Sequence, residues 1–282
     1  AIVADGKEGR LYLPPNAYHE DVATKAQPLW KPDANIPEKA LGFRVQLYGM
    51  NTFGDLFTSR QLTALKTFCD LVEEARQRVL EAARRPSSPW RANPEEYANA
   101  VATYLAFVVE KGANFWSSLC SWQITEEKIR STFSRQALPM VWNFAEANPF
   151  SDSSGNFLSA LDQICAVLKK IPCSGAGLAT QEDAARMDAA KDMILSTDPP
   201  YYDNIGYADL SDYFYVWLRH MLGKIYPSLF ATITVPKAAE LIAAPHRFDG
   251  DKQKAKEFFE KGLQSVFSKF RNIGHPAYPA TI

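Results

Sequence analysis

Two prolines three residues apart divide the most regular stretch of this 282-residue chain and dictate a reversal there. Before Pro86-Ser-Ser-Pro89, Thr58-x-x-Gln61 forms a capping box. Leu62, Leu65, Cys69, Val72, Val79 and Ala83 then recur at three- and four-residue steps, the period of a helix with one apolar face. After the prolines, Asn93 with Pro94 at the first helical position and Glu96 completing the cap predicts a second helix. Tyr97, Val101, Tyr104, Val108, Phe115 and Leu119 carry it to about Trp122. Two such helices joined by a short proline loop are expected to pack as an antiparallel hairpin. Their basic residues Arg76, Arg78, Arg84 and Arg85 read most simply as a solvated face.

The texture differs on either side of this hairpin. Pro14, Pro15, Pro28, Pro32 and Pro37 punctuate residues 1–41, so an extended segment is expected there, followed by a short strand at Phe43–Tyr48. From about Leu138, helical and strand-like periods alternate. Helices are predicted from Phe157 to Leu168, from Leu210 to Leu222 and from Asp251 to Phe270. Met193-Ile-Leu-Ser196 has the profile of a buried strand, and Tyr278–Ile282 that of a strand just opening. The expected organisation is residues 1–137 as an extended segment plus helical hairpin, and residues 138–282 as an α/β domain.

Composition excludes several classes. With 31 Lys+Arg against 32 Asp+Glu, the chain cannot grip duplex nucleic acid by net charge alone. No apolar run approaches the ~20 residues of a membrane helix, so no membrane association is expected. Cys69, Cys120, Cys165 and Cys173 form no C-x-x-C pair, and His19, His220, His246 and His275 lack ligand spacing, so no metal site is expected. Scattered single thiols predict a reduced, cytoplasmic setting. The first residues, AIVADGKEGR, are neither a signal nor a transit peptide. With no initiator Met at one end and a strand left unfinished at the other, a fragment is expected.

The chemically informative stretch is Ser196-Thr-Asp-Pro-Pro-Tyr-Tyr-Asp-Asn204. An apolar strand delivers Asp198 to the carboxyl edge of a sheet, where ligands bind in open α/β folds, and Pro199-Pro200 stiffen the backbone behind it. Transfer of a methyl group to an exocyclic amine needs acceptors on both amine hydrogens, so that the nitrogen lone pair faces the electrophile. Asp198 supplies one acceptor and the carbonyl of Pro199 the other, while Tyr201 offers a π-face to an extruded base. Tyr207 is the best further stacking candidate, placed before the aromatic helix. Tyr213, Phe214, Tyr215 and Trp217 at helical spacing read as core.

This motif resembles the D-P-P-Y signature of the amino-methyltransferases that methylate adenine at N6 in DNA. The wider run STDPPYYDNIGYADLSDYFYVWLRHML, with VPKAAELIA downstream and LGFRVQLYGMNTFGDLFTSRQL upstream, is similar to the large prokaryotic adenine-specific DNA methylases, whose longer members carry an embedded zinc ribbon. The resemblance spans roughly Leu41 to Ile282. It implies a partial Rossmann-like, S-adenosylmethionine-dependent methyltransferase sheet with a large helical region. It further implies Asp198, Pro199, Pro200 and Tyr201 as the target-amine site, Tyr202, Asp203 and Asn204 as its flank, and DNA and the remainder of the full-length methylase as partners. The glycine-rich cofactor turn of that family has no counterpart here beyond Ser154-Gly155-Asn156 and Ser174-Gly-Ala-Gly177, so this chain alone is expected to bind S-adenosylmethionine weakly or not at all. The competing class is a non-catalytic or truncated methyltransferase-like module that binds nucleic acid or a partner chain.

Overall fold

The computed structural model describes residues 1–282 except 41, 172–174, 176 and 204. The chain forms two compact units whose segments interleave: residues 1–36, 42–171 and 213–234 in the first, 37–41, 172–212 and 235–282 in the second. The described residues are of mixed helix and strand, with six helices and two small sheets.

The first unit opens with an antiparallel hairpin, β1 (Ile2–Gly6) and β2 (Gly9–Leu13), followed by α1 (Ala17–Lys25). This departs from the extended segment expected for residues 1–41. The prolines begin only at Pro14, leaving thirteen residues free to pair, and Asn16 then caps α1 by accepting from the His19 amide. The strand expected at Phe43–Tyr48 is instead a 3-10 turn over Val45–Tyr48, closed by Gly49 at φ +85°. Phe43 and Val45 are buried while Leu47 is exposed, so the alternation breaks where the turn begins.

The hairpin forms as the periodicity predicts: α2 (Ser59–Ala83) packs against α3 (Pro94–Ala113). Thr58 and Gln61 satisfy one another's backbone amides, the Gln61 side chain accepting at 2.8 Å and the Thr58 hydroxyl at 3.3 Å. The start of α3 differs in detail, because neither Asn93 nor Glu96 makes a cap hydrogen bond and Pro94 alone sets the entry. α3 also ends at Ala113, well before Trp122. The Asn114 carbonyl is taken by the Thr132 amide at 2.7 Å and the Asn114 side chain by the Phe133 amide at 3.2 Å, so the polar groups that would continue the helix serve another chain segment. Ala98, Ala102, Ala106 and Gly112 line its buried face, and the Trp116 ring folds back over Gly112.

A two-stranded sheet of β3 (Ser121–Gln123) and β4 (Lys128–Arg130) and the helix α4 (Phe157–Leu168) complete this part, with Asn156 capping α4 at 2.7 Å. α5 (Tyr207–Leu222) begins in the second unit and ends in the first. Its residues Tyr213 and Trp217 are fully buried in the first unit, where the Tyr213 hydroxyl donates to the Ala113 carbonyl at 2.7 Å. Phe57 stacks on Tyr213 and meets Trp217 edge-on. The aromatic run is core, as its helical spacing indicates.

In the second unit, α6 (Lys252–Ile273) is capped by Asp251, whose Oδ1 accepts from the Gln253 and Lys254 amides at 3.0 Å. The segment after α6 lies parallel to residues 193–197. Met193 N–H donates to the Ile273 carbonyl and His275 N–H to the Met193 carbonyl. Beyond them, Thr281 N–H donates to the Leu195 carbonyl and Thr197 N–H to the Thr281 carbonyl. The expected buried strand at Met193–Ser196 is therefore present only as two isolated parallel bridges, and Met193 and Ile194 are 38% and 70% exposed. Pro276 lacks an N–H, and the turn from His275 to Tyr278 lifts the chain away between the two bridges.

Candidate functional site

Asp198 stands two residues beyond the second of these parallel bridges, at Ser196. Its carboxylate Oδ1 accepts the Tyr201 hydroxyl at 2.8 Å, a bond that the two-residue Pro199-Pro200 spacer makes local and stiff. The hydrogen bond to Asp198, and then the charge of that carboxylate, push the Tyr201 hydroxyl above its ordinary range, so Tyr201 is a phenol donor and not a phenolate. Tyr201 is 59% exposed and Tyr207 53% exposed. No described residue donates to Asp198 Oδ2 or to the Pro199 carbonyl. An aromatic surface thus stands in water beside two acceptors that no described residue uses.

What holds the segment in place lies mostly outside the D-P-P-Y tetrad. Tyr202 sits in the left-handed region at φ +51°, which reverses the chain, and its carbonyl accepts the Ala243 amide at 3.0 Å. Its ring meets Phe259 of α6 edge-on at 5.2 Å. Asp203 is exposed, and Asn204 lies outside the described residues. At the far end, Tyr207 is the first residue of α5 and not a loop residue before it, because the Glu240 carboxylate takes the Ala208 amide at 2.9 Å and starts the helix there.

That Glu240 belongs to a charged cluster. Arg247 Nη2 donates to Glu240 Oε2 at 2.7 Å and to Asp209 Oδ2 at 2.9 Å, while Nη1 donates to the Lys237 carbonyl at 3.1 Å. Asp212, wholly buried, accepts the Val235 amide at 2.8 Å and lies 2.7 Å from the Lys237 ammonium. Burial raises the Asp212 carboxyl above its usual range, although Lys237 and the Val235 amide pull it the other way. Asp209, Lys237, His246 and Arg247 line a shallow cavity of about 360 Å³ together with Lys39. Reading the sequence by motif missed Asp209, Asp212 and Arg247 as site-forming residues. The available signal was two acids three residues apart in an otherwise aromatic helix, an arrangement that demands cationic partners once buried.

Glycine supplies no cofactor cradle among the described residues. Gly155 is at φ +85°, but it packs against Phe115 and gives its carbonyl to the Trp116 indole at 2.7 Å, so its role is structural. In the second glycine cluster, residues 174 and 176 lie outside the described residues, and Gly175 and Gly177 have open space around them. Among the described residues no group of His, Cys, Asp and Glu could hold a metal ion. His220 stacks on Trp30 at 4.0 Å, His19 serves the cap of α1, and the His275 ring accepts the Ala277 amide. No described helix is long and apolar enough to cross a membrane. The chain matches no family model, no curated protein and no solved structure.

Proposed function

We propose that Asp198–Tyr201 is the acceptor-amine site of an N6-adenine DNA methyltransferase with a Rossmann-like sheet, acting in the cytoplasm as part of a longer methylase. The observation that carries this reading is the pairing of unused acceptors with exposed rings. Asp198 Oδ2 and the Pro199 carbonyl, with no donor among the described residues, would take the two hydrogens of an exocyclic amine, and Tyr201 and Tyr207 would stack on the base that bears it. The Tyr201 hydroxyl bonds Oδ1 and thereby reserves Oδ2 for the ligand. With both amine hydrogens held, the nitrogen lone pair points out of the base plane, and Asp198 is the group placed to receive the proton that alkylation releases. Tyr202, Asp203 and Tyr207 flank the base. The described residues do not fit S-adenosylmethionine, the methyl donor of such enzymes, because no glycine turn follows a strand beside Asp198. The derivation therefore stops at acceptor binding.

That same missing cradle favours a second reading, a module that binds nucleic acid without turnover. One experiment addresses both. Binding of this chain to an oligonucleotide with one unpaired adenine is compared with binding to the same strand carrying unsubstituted purine, which lacks only the amine. A hydrogen bond to a charged acceptor is worth about 1.5–3 kcal/mol, so adenine is expected to bind roughly tenfold to a hundredfold tighter. Asp198→Ala is expected to erase that preference without lowering the thermal midpoint. Tyr201→Ala weakens both ligands, whereas Tyr201→Phe keeps the stacking face. Equal affinity for adenine and purine in the wild type would refute amine recognition. Incorporation of labelled methyl from S-adenosylmethionine, measured with the longer methylase proposed above, separates enzyme from binding module.

A further inference from the structure

At the tip of the α2–α3 hairpin, the Trp90 ring lies flat on Tyr97, with ring centroids 4.4 Å apart and planes within 3°. Tyr97 covers one face of the indole, yet Trp90 remains 51% exposed, so the other face is turned to water. The loop that holds it is well bonded. Ser88 N–H donates to the Arg85 carbonyl at 3.0 Å, Trp90 N–H to the Ser88 hydroxyl at 3.2 Å, and Asn93 N–H to the Trp90 carbonyl at 3.2 Å. The indole is therefore presented in a set orientation and does not wave from a slack loop.

Charge in the connecting loop itself is of one sign, with Glu95 and Glu96 following in the first turn of α3. Residues 84–92 contain Arg84, Arg85 and Arg91 and no acid. Arg84 meets Glu95 at 3.2 Å, an exposed pair, while Arg85 and Arg91 make no ion pair with any described residue. Farther down the hairpin the balance is restored. Arg78 bonds Glu74, and Arg76 bonds Asn99 and Glu73. An open π-face on a loop that carries two guanidinium groups without an ion-pair partner among the described residues is a local departure in a chain of net charge −1.

We infer that this tip is a binding site for single-stranded nucleic acid, with a base stacked on the outer face of Trp90 and backbone phosphates met by Arg85 and Arg91. Stacking on a preformed Trp–Tyr pair needs little further ordering of the protein, and it tolerates any base because every base has a π-face. Guanidinium groups suit phosphate oxygens by geometry as well as charge. The site lies in the first unit and uses neither Asp198 nor the acceptor-amine reading, so it stands or falls separately.

The test is fluorescence anisotropy of a labelled oligothymidylate of about 15 nucleotides, matching the usual footprint of such sites, titrated with the 282-residue chain. Trp90→Ala is expected to weaken binding roughly fivefold to a hundredfold and Trp90→Phe far less. Arg85→Gln and Arg91→Gln are each expected to flatten the dependence of log affinity on log salt by about 0.7, the release expected for one phosphate contact on a single strand. No measurable binding by the wild type, wild-type affinity in Trp90→Ala, or equal damage from Phe and Ala would each overturn the inference. So would an acidic peptide such as polyglutamate binding as tightly as the oligonucleotide, which would assign the tip to an acidic protein partner. Should Trp90→Ala also unfold the hairpin, the two arginine variants still decide, because unaltered salt slopes would by themselves exclude phosphate contact.

Discussion

Glu110 carries a cost that pH can switch on and off. It stands in the last turn of α3, next to the buried Val109, and no described residue donates to its carboxylate. Its neighbour Lys111 bonds to Gln163 instead. The negative end of the helix dipole lies close by, which further disfavours a carboxylate there. Burial lifts the Glu110 carboxyl from 4.5 to about 7. The sign follows from proton counting. Between those two values the folded state holds a proton that the unfolded state has released, so stability falls as pH rises through the window and stays low above it. At 1.36 kcal/mol for each pH unit, the window corresponds to about 3 kcal/mol lost by pH 8. Glu110→Gln keeps the shape and removes the charge. It is expected to raise the free energy of unfolding by about 2–3 kcal/mol at pH 8, allowing for residual water contact, and to change it little at pH 4. Urea denaturation of both proteins at half-unit steps from pH 4 to 8 measures the difference, in which all other titrating groups cancel. Parallel stability curves for the two proteins, or a Gln variant less stable than wild type at pH 8, would refute the reasoning.

Two further outcomes probe the packing around the candidate site and the hairpin. Arg247→Met strands the carboxylates of Asp209 and Glu240 with no cation between them, so a loss of about 3 kcal/mol is expected in urea denaturation, and a loss below about 1 kcal/mol would show that the cluster is not a clamp. Gly112→Ala would normally strengthen a helix, but the added methyl would lie 2.6 Å from the Trp116 ring. A net destabilisation of about 1–2 kcal/mol is expected, read by thermal unfolding, and a stabilised variant would mean the indole moves aside freely.

Local signals carried much of this structure. The Thr58–Gln61 capping box, the proline entry of α3, the Asp251 cap and the Gly274 stop are interactions within a few residues, so the chain specifies them without knowing its tertiary neighbours. The Asp198–Tyr201 bond is equally local, an i to i+3 contact across two prolines, but the motif alone predicts only a stacking face for Tyr201 and not this bond. What required the folded chain was every decision made at long range. The period of α3 runs on past Ala113, but the Asn114 carbonyl and side chain are claimed by Thr132 and Phe133. Phe43–Tyr48 has strand-like composition, but no described strand pairs with it and Gly49 closes it as a 3-10 turn. Tyr207 starts a helix because a carboxylate more than thirty residues away, Glu240, caps it. Buried charge behaves likewise: Asp209 and Asp212 can be read as acids from the sequence, but only tertiary contact supplies Arg247 and Lys237. Hydrogen-bond partners close in sequence are set by local geometry, whereas those brought together by folding depend on which buried polar groups must find one another away from water.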